Sequence, residues 1–403
     1  MAEESIVVLG AGLAGATTVS ELRKQGFVGP LTLIGEETEL PYERPPLSKE
    51  FLQGTQEPAE FTVHDAAWYQ ENDVTLKLGV KAISVETTQR RVLLADGGAV
   101  DYDQLVLATG SRASVGGDEP IAGYDLAGVH RLRTLSDATA LREEIADGAQ
   151  IAVIGSGWIG MEVAASARQA GARVTVYSST EVPLASVFGE RFGHHLLELH
   201  QRHGVDVRTA RVQGIEKVDG HLQVLSDAGT SRADLVVLAI GAQPNLELAE
   251  TAGLEVEHGV LVDTALRSSD PRILAVGDIA EAMNAHLGHR VRVEHWDNAQ
   301  RQGKLAAATL LGQEQSYDWL PYFFTDQFDL GMEYVGQSSP KDETVIRGDA
   351  SSGEFLIFWQ DGQRVTAAAN VNIWDVNDQL RELVGRKIAS ERLADEGIDL
   401  TEL

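Results

Sequence analysis

Ile6-Val-Val-Leu-Gly10-Ala-Gly12-Leu-Ala-Gly15 is a short apolar strand followed by three glycines at G-x-G-x-x-G spacing, after which a helical pattern runs to about Gly26 and a second strand spans Leu31 to Ile34. In such a loop the first glycine makes the tight strand-to-helix turn and the second lets a pyrophosphate approach the backbone. The third lets the helix pack on the strand, and the phosphates lie at the positive helix N-terminus. One such motif is a weak signal, since Gly-rich turns share it. The same order recurs in Ile151-Ala-Val-Ile-Gly155-Ser-Gly157-Trp-Ile-Gly160, a helix to about Ala170 and a strand from Arg173 to Tyr177. Two complete strand-loop-helix-strand units point to two dinucleotides, one resident and one visiting.

A second repeat supports this reading. Tyr102-Asp-Gln-Leu-Val-Leu-Ala-Thr-Gly110 matches Ala233-Asp-Leu-Val-Val-Leu-Ala-Ile-Gly241, each an apolar strand closed by glycine. Short alternating strands such as Arg91 to Asp96 and Leu222 to Ser226 lie between. From about Tyr317 the pattern changes: Pro321 to Phe328, Glu354 to Trp359 and Val365 to Ala369 read as strands, and Val376 to Val384 as a closing helix. The expected fold class is therefore α/β, with two Rossmann-like dinucleotide-binding domains and a C-terminal α+β domain. An FAD-binding domain is expected over 1–111 and 242–316, an NAD(P)H-binding domain over 112–241, and the C-terminal domain over 317–403.

Composition limits the chemistry. At 403 residues and 43% hydrophobic, the chain is long enough for two or three cores. Lys and Arg total 33 against 61 Asp and Glu, a formal net charge of −28 that disfavours nucleic acid as a partner. There is no cysteine, which removes disulfides, thiolate metal sites and thiol redox catalysis, so electron chemistry needs a bound cofactor. The run Ile6 to Leu9 is too short for a signal-peptide core and no apolar stretch of about 18 residues occurs, so neither a membrane nor export is expected and the cytoplasm is the default. The eleven His are scattered, and His194-His195 lacks helical ligand spacing, so no metal is expected.

The ribose ends of the two units differ. The first strand pair ends in Gly35-Glu36-Glu37, where a carboxylate can accept from both ribose hydroxyls; Glu36 is the first candidate and Glu37 the alternative. The second ends in Tyr177-Ser178-Ser179, with no acid before Glu181. A carboxylate there would repel a 2′-phosphate, whereas two hydroxyls suit a phosphate or a ribose. No Arg follows closely, so NADH and NADPH both stay open.

Pro41-Tyr-Glu-Arg-Pro-Pro-Leu-Ser-Lys49, Leu107-Ala-Thr-Gly110, Ala275-Val-Gly-Asp278 and Glu294-His-Trp296 together resemble the FAD-dependent NAD(P)H:ferredoxin and rubredoxin reductases, relatives of putidaredoxin reductase and apoptosis-inducing factor with a glutathione-reductase-type fold. The resemblance spans nearly the whole chain. It implies FAD on the first glycine motif and NAD(P)H on the second. Arg44, Pro45 and Lys49 would lie along the flavin and its pyrophosphate, with Lys49 near the reactive edge, where a cation stabilises the anionic reduced flavin. Ala108, Thr109 and Gly110 would support the pyrophosphate side, Val80 would offer its backbone to the adenine, and Asp278, next to Gly277, would hold a ribityl hydroxyl or cap a helix. Glu162 would sit near the nicotinamide amide and Lys49, and Trp296, with Glu294 and His295 before it, on the flavin's pyrimidine side. The remaining candidate cofactor contacts are Leu13 and Ala14 in the first loop, Trp158 and Ile159 in the second, and Arg131, Ile240 and Gly241. Thr325-Asp-Gln327 resembles the family's Ser-Asp-Gln stretch, and Phe324 stands where Trp is more usual.

The implied activity passes electrons from NAD(P)H through FAD to a ferredoxin-type iron–sulfur protein that supplies a monooxygenase or dioxygenase system. Arg290, Arg292, Arg301 and Lys304 form a local basic cluster that an acidic ferredoxin could use. Two other readings stay open: an oxidase or a quinone- or monodehydroascorbate-type reductase on the same scaffold, and a nucleotide-responsive interaction protein of the apoptosis-inducing-factor kind. The chain is expected as a monomer or a homodimer.

Overall fold

The computed structural model describes residues 4–117 and 119–403. By internal packing the chain divides into two units: 1–44, 58–112 and 243–321 form the first, and 45–57, 113–242 and 322–403 the second.

The first unit is built on a five-stranded parallel sheet in the order Ile273–Ala275, Gln104–Leu107, Ile6–Leu9, Leu31–Ile34, Val74–Lys77. Every residue of Ile6–Leu9 is buried, as expected of a central strand covered on both faces. The helix Leu13–Lys24 leaves the first glycine loop and packs along the helix Trp296–Leu310. Gly303 permits this approach, since a Cβ there would lie 2.8 Å from the carbonyl oxygen of Ala14. Two three-stranded sheets flank this core, one antiparallel over Ala82–Glu86, Arg91–Leu94 and Ala99–Asp101, the other Val260–Val262, Ala280–Asn284 and His289–Arg292. Tyr317, where a third domain was expected to begin, is fully buried in this unit, exchanging backbone hydrogen bonds with Thr264 and Ala285.

The second unit repeats the parallel sheet, in the order Asp206–Thr209, Arg173–Ser178, Gln150–Ile154, Leu235–Leu238, Val129–Arg131. A three-stranded meander over Val212–Val218, His221–Ser226 and Gly229–Ala233 covers one face. The C-terminal stretch forms a five-stranded antiparallel sheet, ordered Tyr322–Gln327, Leu330–Gly336, Arg364–Val371, Glu354–Asp361, Glu343–Asp349, with helices Asn377–Leu383 and Ser390–Ala394. This sheet shares its core with the nucleotide-type sheet. Phe188, on the helix Ala185–Arg202, meets Tyr334 and Trp359 edge-on at 5.0 and 5.7 Å, and the buried indole of Trp359 donates to the carbonyl of Phe188 at 2.8 Å. The segment 45–57, which was expected with the FAD domain, packs in this second unit.

Candidate functional site

Each glycine loop has the steric signature of a dinucleotide cradle. Gly10 and Gly155 turn the chain at φ of +112° and +108°, and a Cβ there would lie 2.0 and 2.2 Å from the carbonyl oxygens of Ala108 and Ala239, so only glycine fits. At Gly15 and Gly160 a Cβ would strike the carbonyl oxygen of Gly10 or Gly155, at 2.0 and 2.2 Å, which fixes helix against strand. At Gly12 and Gly157 a Cβ would meet nothing within 4 Å, leaving open backbone at the helix start. Both helices, Leu13–Lys24 and Trp158–Gln169, begin with no side-chain cap and no acid in the first turn. Their first amides thus stay available to phosphate, and the residues fit a dinucleotide at each loop.

In the first unit, Glu36 and Glu37 separate in role. The Glu37 carboxylate accepts from the Arg44 guanidinium at 2.8 Å and the Tyr42 hydroxyl at 2.5 Å, which commits it to shaping the loop. Glu36, with 67% of its side chain exposed and only a surface pairing to Lys81 at 3.2 Å, is the acid presented at the strand end. Asp278 lies inside the 3-10 turn Gly277–Ile279, whose cap position is Val276, so the helix-cap alternative does not hold; its carboxylate accepts from Ser111 at 2.7 Å. The amide of Gly277 is held by Gln302 at 2.7 Å. Trp296 starts its helix, and the Glu43 carboxyl in its neighbourhood is pushed above the usual range by burial. The Val80 amide is used by the Gly35 carbonyl at 3.0 Å, and the Thr109 hydroxyl by the Asn245 carbonyl at 2.9 Å. The basic cluster is partly neutralised: Arg292 pairs with Glu294 and Arg301 with Asp297, whereas Arg290 donates to the carbonyls of Val262 and Glu281.

In the second unit the acid-free strand end differs from the expectation of two presented hydroxyls. Ser178 is fully buried, and its hydroxyl is engaged by Ser156 at 2.7 Å and the Thr180 carbonyl at 2.6 Å; only Ser179 is exposed. The Ser178 carbonyl instead accepts the amide of Ala210 at 2.8 Å, across the parallel pairing of Ser178 with Thr209. This brings Arg211, exposed and in no ion pair among the described residues, to the neighbouring strand end. No local spacing signals it, because 32 residues, a helix among them, separate Ser178 from Arg211. Trp158 faces inward against Phe188 and Phe323, at 5.2 and 5.0 Å, while Ile159 is exposed. Arg131 is exposed at the end of an edge strand, and Ile240 and Gly241 follow the strand Leu235–Leu238.

Lys49 and Glu162 meet here. Pro45 and Pro46 fix a 3-10 turn, Pro45–Ser48, closed by the Lys49 amide on the Pro46 carbonyl at 3.0 Å. The helix Trp158–Gln169 places Glu162 and Ser166 one turn apart on the face that meets it. The Ser48 hydroxyl donates to Glu162 Oε2 at 2.5 Å, Ser166 donates to the Ser48 carbonyl at 2.7 Å, and Lys49 Nζ lies 3.7 Å from Glu162 Oε2 and 5.3 Å from the centre of the Phe324 ring. Lys49 and Glu162 are 5% and 4% exposed, so each charge depends on the other and on its hydrogen bonds. Thr325 completes the group by donating to Glu162 Oε1 at 2.7 Å.

The pyridine nucleotide-disulphide oxidoreductase family model matches residues 4–303, and the reductase C-terminal family model matches 322–403. The ferredoxin–NAD(+) reductase component of the anthranilate 1,2-dioxygenase system of Burkholderia cepacia is 38% identical, covering 99% of this chain and 99% of its own length. Rhodocoxin reductase of Rhodococcus erythropolis is 35% identical over 98% of this chain and 93% of its own. Among solved structures, the covalent putidaredoxin reductase–putidaredoxin complex matches with a TM-score of 0.93 and 33% identity, over 100% of this chain and 98% of that one.

Proposed function

The chain belongs to the pyridine nucleotide-disulphide oxidoreductase family, and from that premise we propose that it passes electrons from NAD(P)H through FAD to a ferredoxin-type iron–sulfur protein serving an oxygenase. It is an oxidoreductase that uses FAD and a nicotinamide dinucleotide. The observation that carries the proposal is the absence of cysteine from a chain whose family is named for disulphide chemistry. Without a redox disulfide, electrons have to leave for an external acceptor. Relatives that match this chain end to end are named as ferredoxin reductases.

FAD, when bound, supplies the step from a two-electron donor to a one-electron acceptor. The backbone around Gly10, Gly12 and Gly15 would take its pyrophosphate, Glu36 its ribose, and Arg44 and Asp278 its phosphate and ribityl side. Gly155, Gly157 and Gly160 would take the nicotinamide dinucleotide. For Lys49 we propose a positive charge for the reduced flavin, and for Glu162 an acceptor for the carboxamide of the nicotinamide. A ferredoxin would use Arg290 and Lys304, the members of the basic cluster with no acidic partner among the described residues.

Anaerobic stopped-flow mixing with NADH or NADPH should bleach the flavin's visible absorption, and cytochrome c reduction should then depend on added ferredoxin. No bleaching would sink the proposal. Oxygen consumption that ignores ferredoxin would turn the reading to an oxidase, and slow turnover with an NADH-dependent change of mass to an interaction protein.

A further inference from the structure

A line of buried polar groups leads away from Glu162 through the C-terminal sheet. Thr325 Oγ1 donates to Glu162 Oε1 at 2.7 Å, Gln327 Nε2 donates to Thr325 Oγ1 at 3.1 Å, and Gln327 Oε1 lies 2.8 Å from His200 Nε2. Thr325, Gln327 and His200 are 1%, 2% and 0% exposed. Thr325 and Gln327 alternate on the inward face of the strand Tyr322–Gln327, and His200 projects from the helix Ala185–Arg202.

The bonds have one direction. Because the Gln327 amide donates to Thr325, its oxygen must accept, so His200 carries its proton on Nε2. His200 Nδ1 is buried and meets no hydrogen-bond partner among the described residues. Burial pushes the imidazole down to about 4, outweighing the Gln327 bond, so it is neutral at working pH and the donor arrangement persists. Every hydrogen in the line points toward Glu162.

We propose that Thr325, Gln327 and His200 are positioning residues that hold the Glu162 carboxylate charged and fixed opposite Lys49. The argument rests on the reading of Glu162 and Lys49 as the reactive pair. Oε2 is occupied by Ser48 and faced by Lys49, and Oε1 receives Thr325, so both oxygens are oriented before any substrate arrives. The titratable groups facing Glu162 are Lys49 from the Pro-rich turn and Asp326 from the strand, the latter also in the field of Glu50 and Glu333; His203 is the titratable neighbour of His200.

Removing a donor from the charged form raises a carboxyl pKa. In the oxidised holoenzyme, followed by 13C NMR of labelled Glu with the Glu162 signal assigned by its loss in Glu162→Gln, that signal should titrate at higher pH in Thr325→Val than in the parent protein. Thr325→Ser should restore the original titration, and Gln327→Leu should give a smaller rise. The 15N spectrum should show His200 as the Nε2–H tautomer throughout. The acid limb of the rate of reduction by NAD(P)H should move with the NMR titration. An unmoved Glu162 titration in a folded, FAD-loaded Thr325→Val, or a His200 protonated at Nδ1, overturns the proposal. If Thr325→Val fails to retain FAD, Gln327→Leu and the His200 tautomer decide. A Glu162→Gln protein that is reduced at the normal rate would instead overturn the reading of the reactive pair, leaving the titrations to judge the relay.

Discussion

The two glycine cradles are nearly superimposable in their steric logic and differ where their second strands end. Around Gly10 and Gly155 the backbone makes the same turn, at φ of +112° and +108°, with the same close carbonyl approach and the same uncapped helix. Phosphate recognition by backbone amides is generic, so duplication leaves it unchanged. At the ribose end the first cradle presents the exposed Glu36, whereas the second buries Ser178 and presents Ser179, with Arg211 just past the end of the neighbouring strand. The two cradles thus differ in the side chains at their two strand ends and not in their glycine loops.

The largest effect should come from breaking one cradle at a time. Gly10→Ala and Gly155→Ala each force a Cβ into a carbonyl oxygen at a φ that L residues rarely adopt. Gly10→Ala should purify without FAD and with a lowered Tm. Gly155→Ala should stay yellow, yet lose reduction by NAD(P)H by at least about a hundredfold, since about 3 kcal/mol of strain converts to that factor. Flavin absorbance and anaerobic reduction separate the two. A colourless Gly155→Ala or a normally reduced one would deny the cradles their separate tenants.

Much of this division was legible in the sequence because it is local. A buried strand, three glycines at fixed spacing and a following helix specify one another within about 30 residues, and both copies read correctly as parallel-sheet units. What escaped depends on contacts across the fold. Ser178 looks like a presented hydroxyl until Ser156 and Thr180 are seen to hold it inward. Arg211 is remote in sequence, and His200 falls on an amphipathic helix with nothing to distinguish it from an ordinary core histidine. The C-terminal sheet reads as a separate body because its strands alternate, but its inward face is completed by Phe188 and Phe192 from another element.

A smaller effect should follow from exchanging the ribose ends. Ser179→Glu would place a carboxylate where a 2′-phosphate would lie and should lower kcat/KM for NADPH about tenfold, about 1.4 kcal/mol, with little change for NADH. Arg211→Ala removes the cation next to that strand end and should raise KM for NADPH several-fold, leaving NADH alone. Steady-state kinetics with both nucleotides checks this; equal losses for NADH and NADPH would mean that Arg211 and Ser179 do not read the 2′ position.

The smallest effect belongs to the first cradle's acid. Glu36 is mostly exposed and its pairing with Lys81 is a surface one, so Glu36→Gln should cost little stability. The amide can still accept from one ribose hydroxyl, so FAD should dissociate only a few-fold more readily, measured by fluorescence recovery on dilution. Glu37→Gln should act differently, because Glu37 anchors Arg44 and Tyr42. Loosening Arg44 would release the phosphate side of the flavin site, and the loss of FAD should exceed that of Glu36→Gln. If the two substitutions weaken FAD equally, Glu36 and Glu37 share the ribose, and the contrast between the two strand ends is one of total charge instead of a single presented acid.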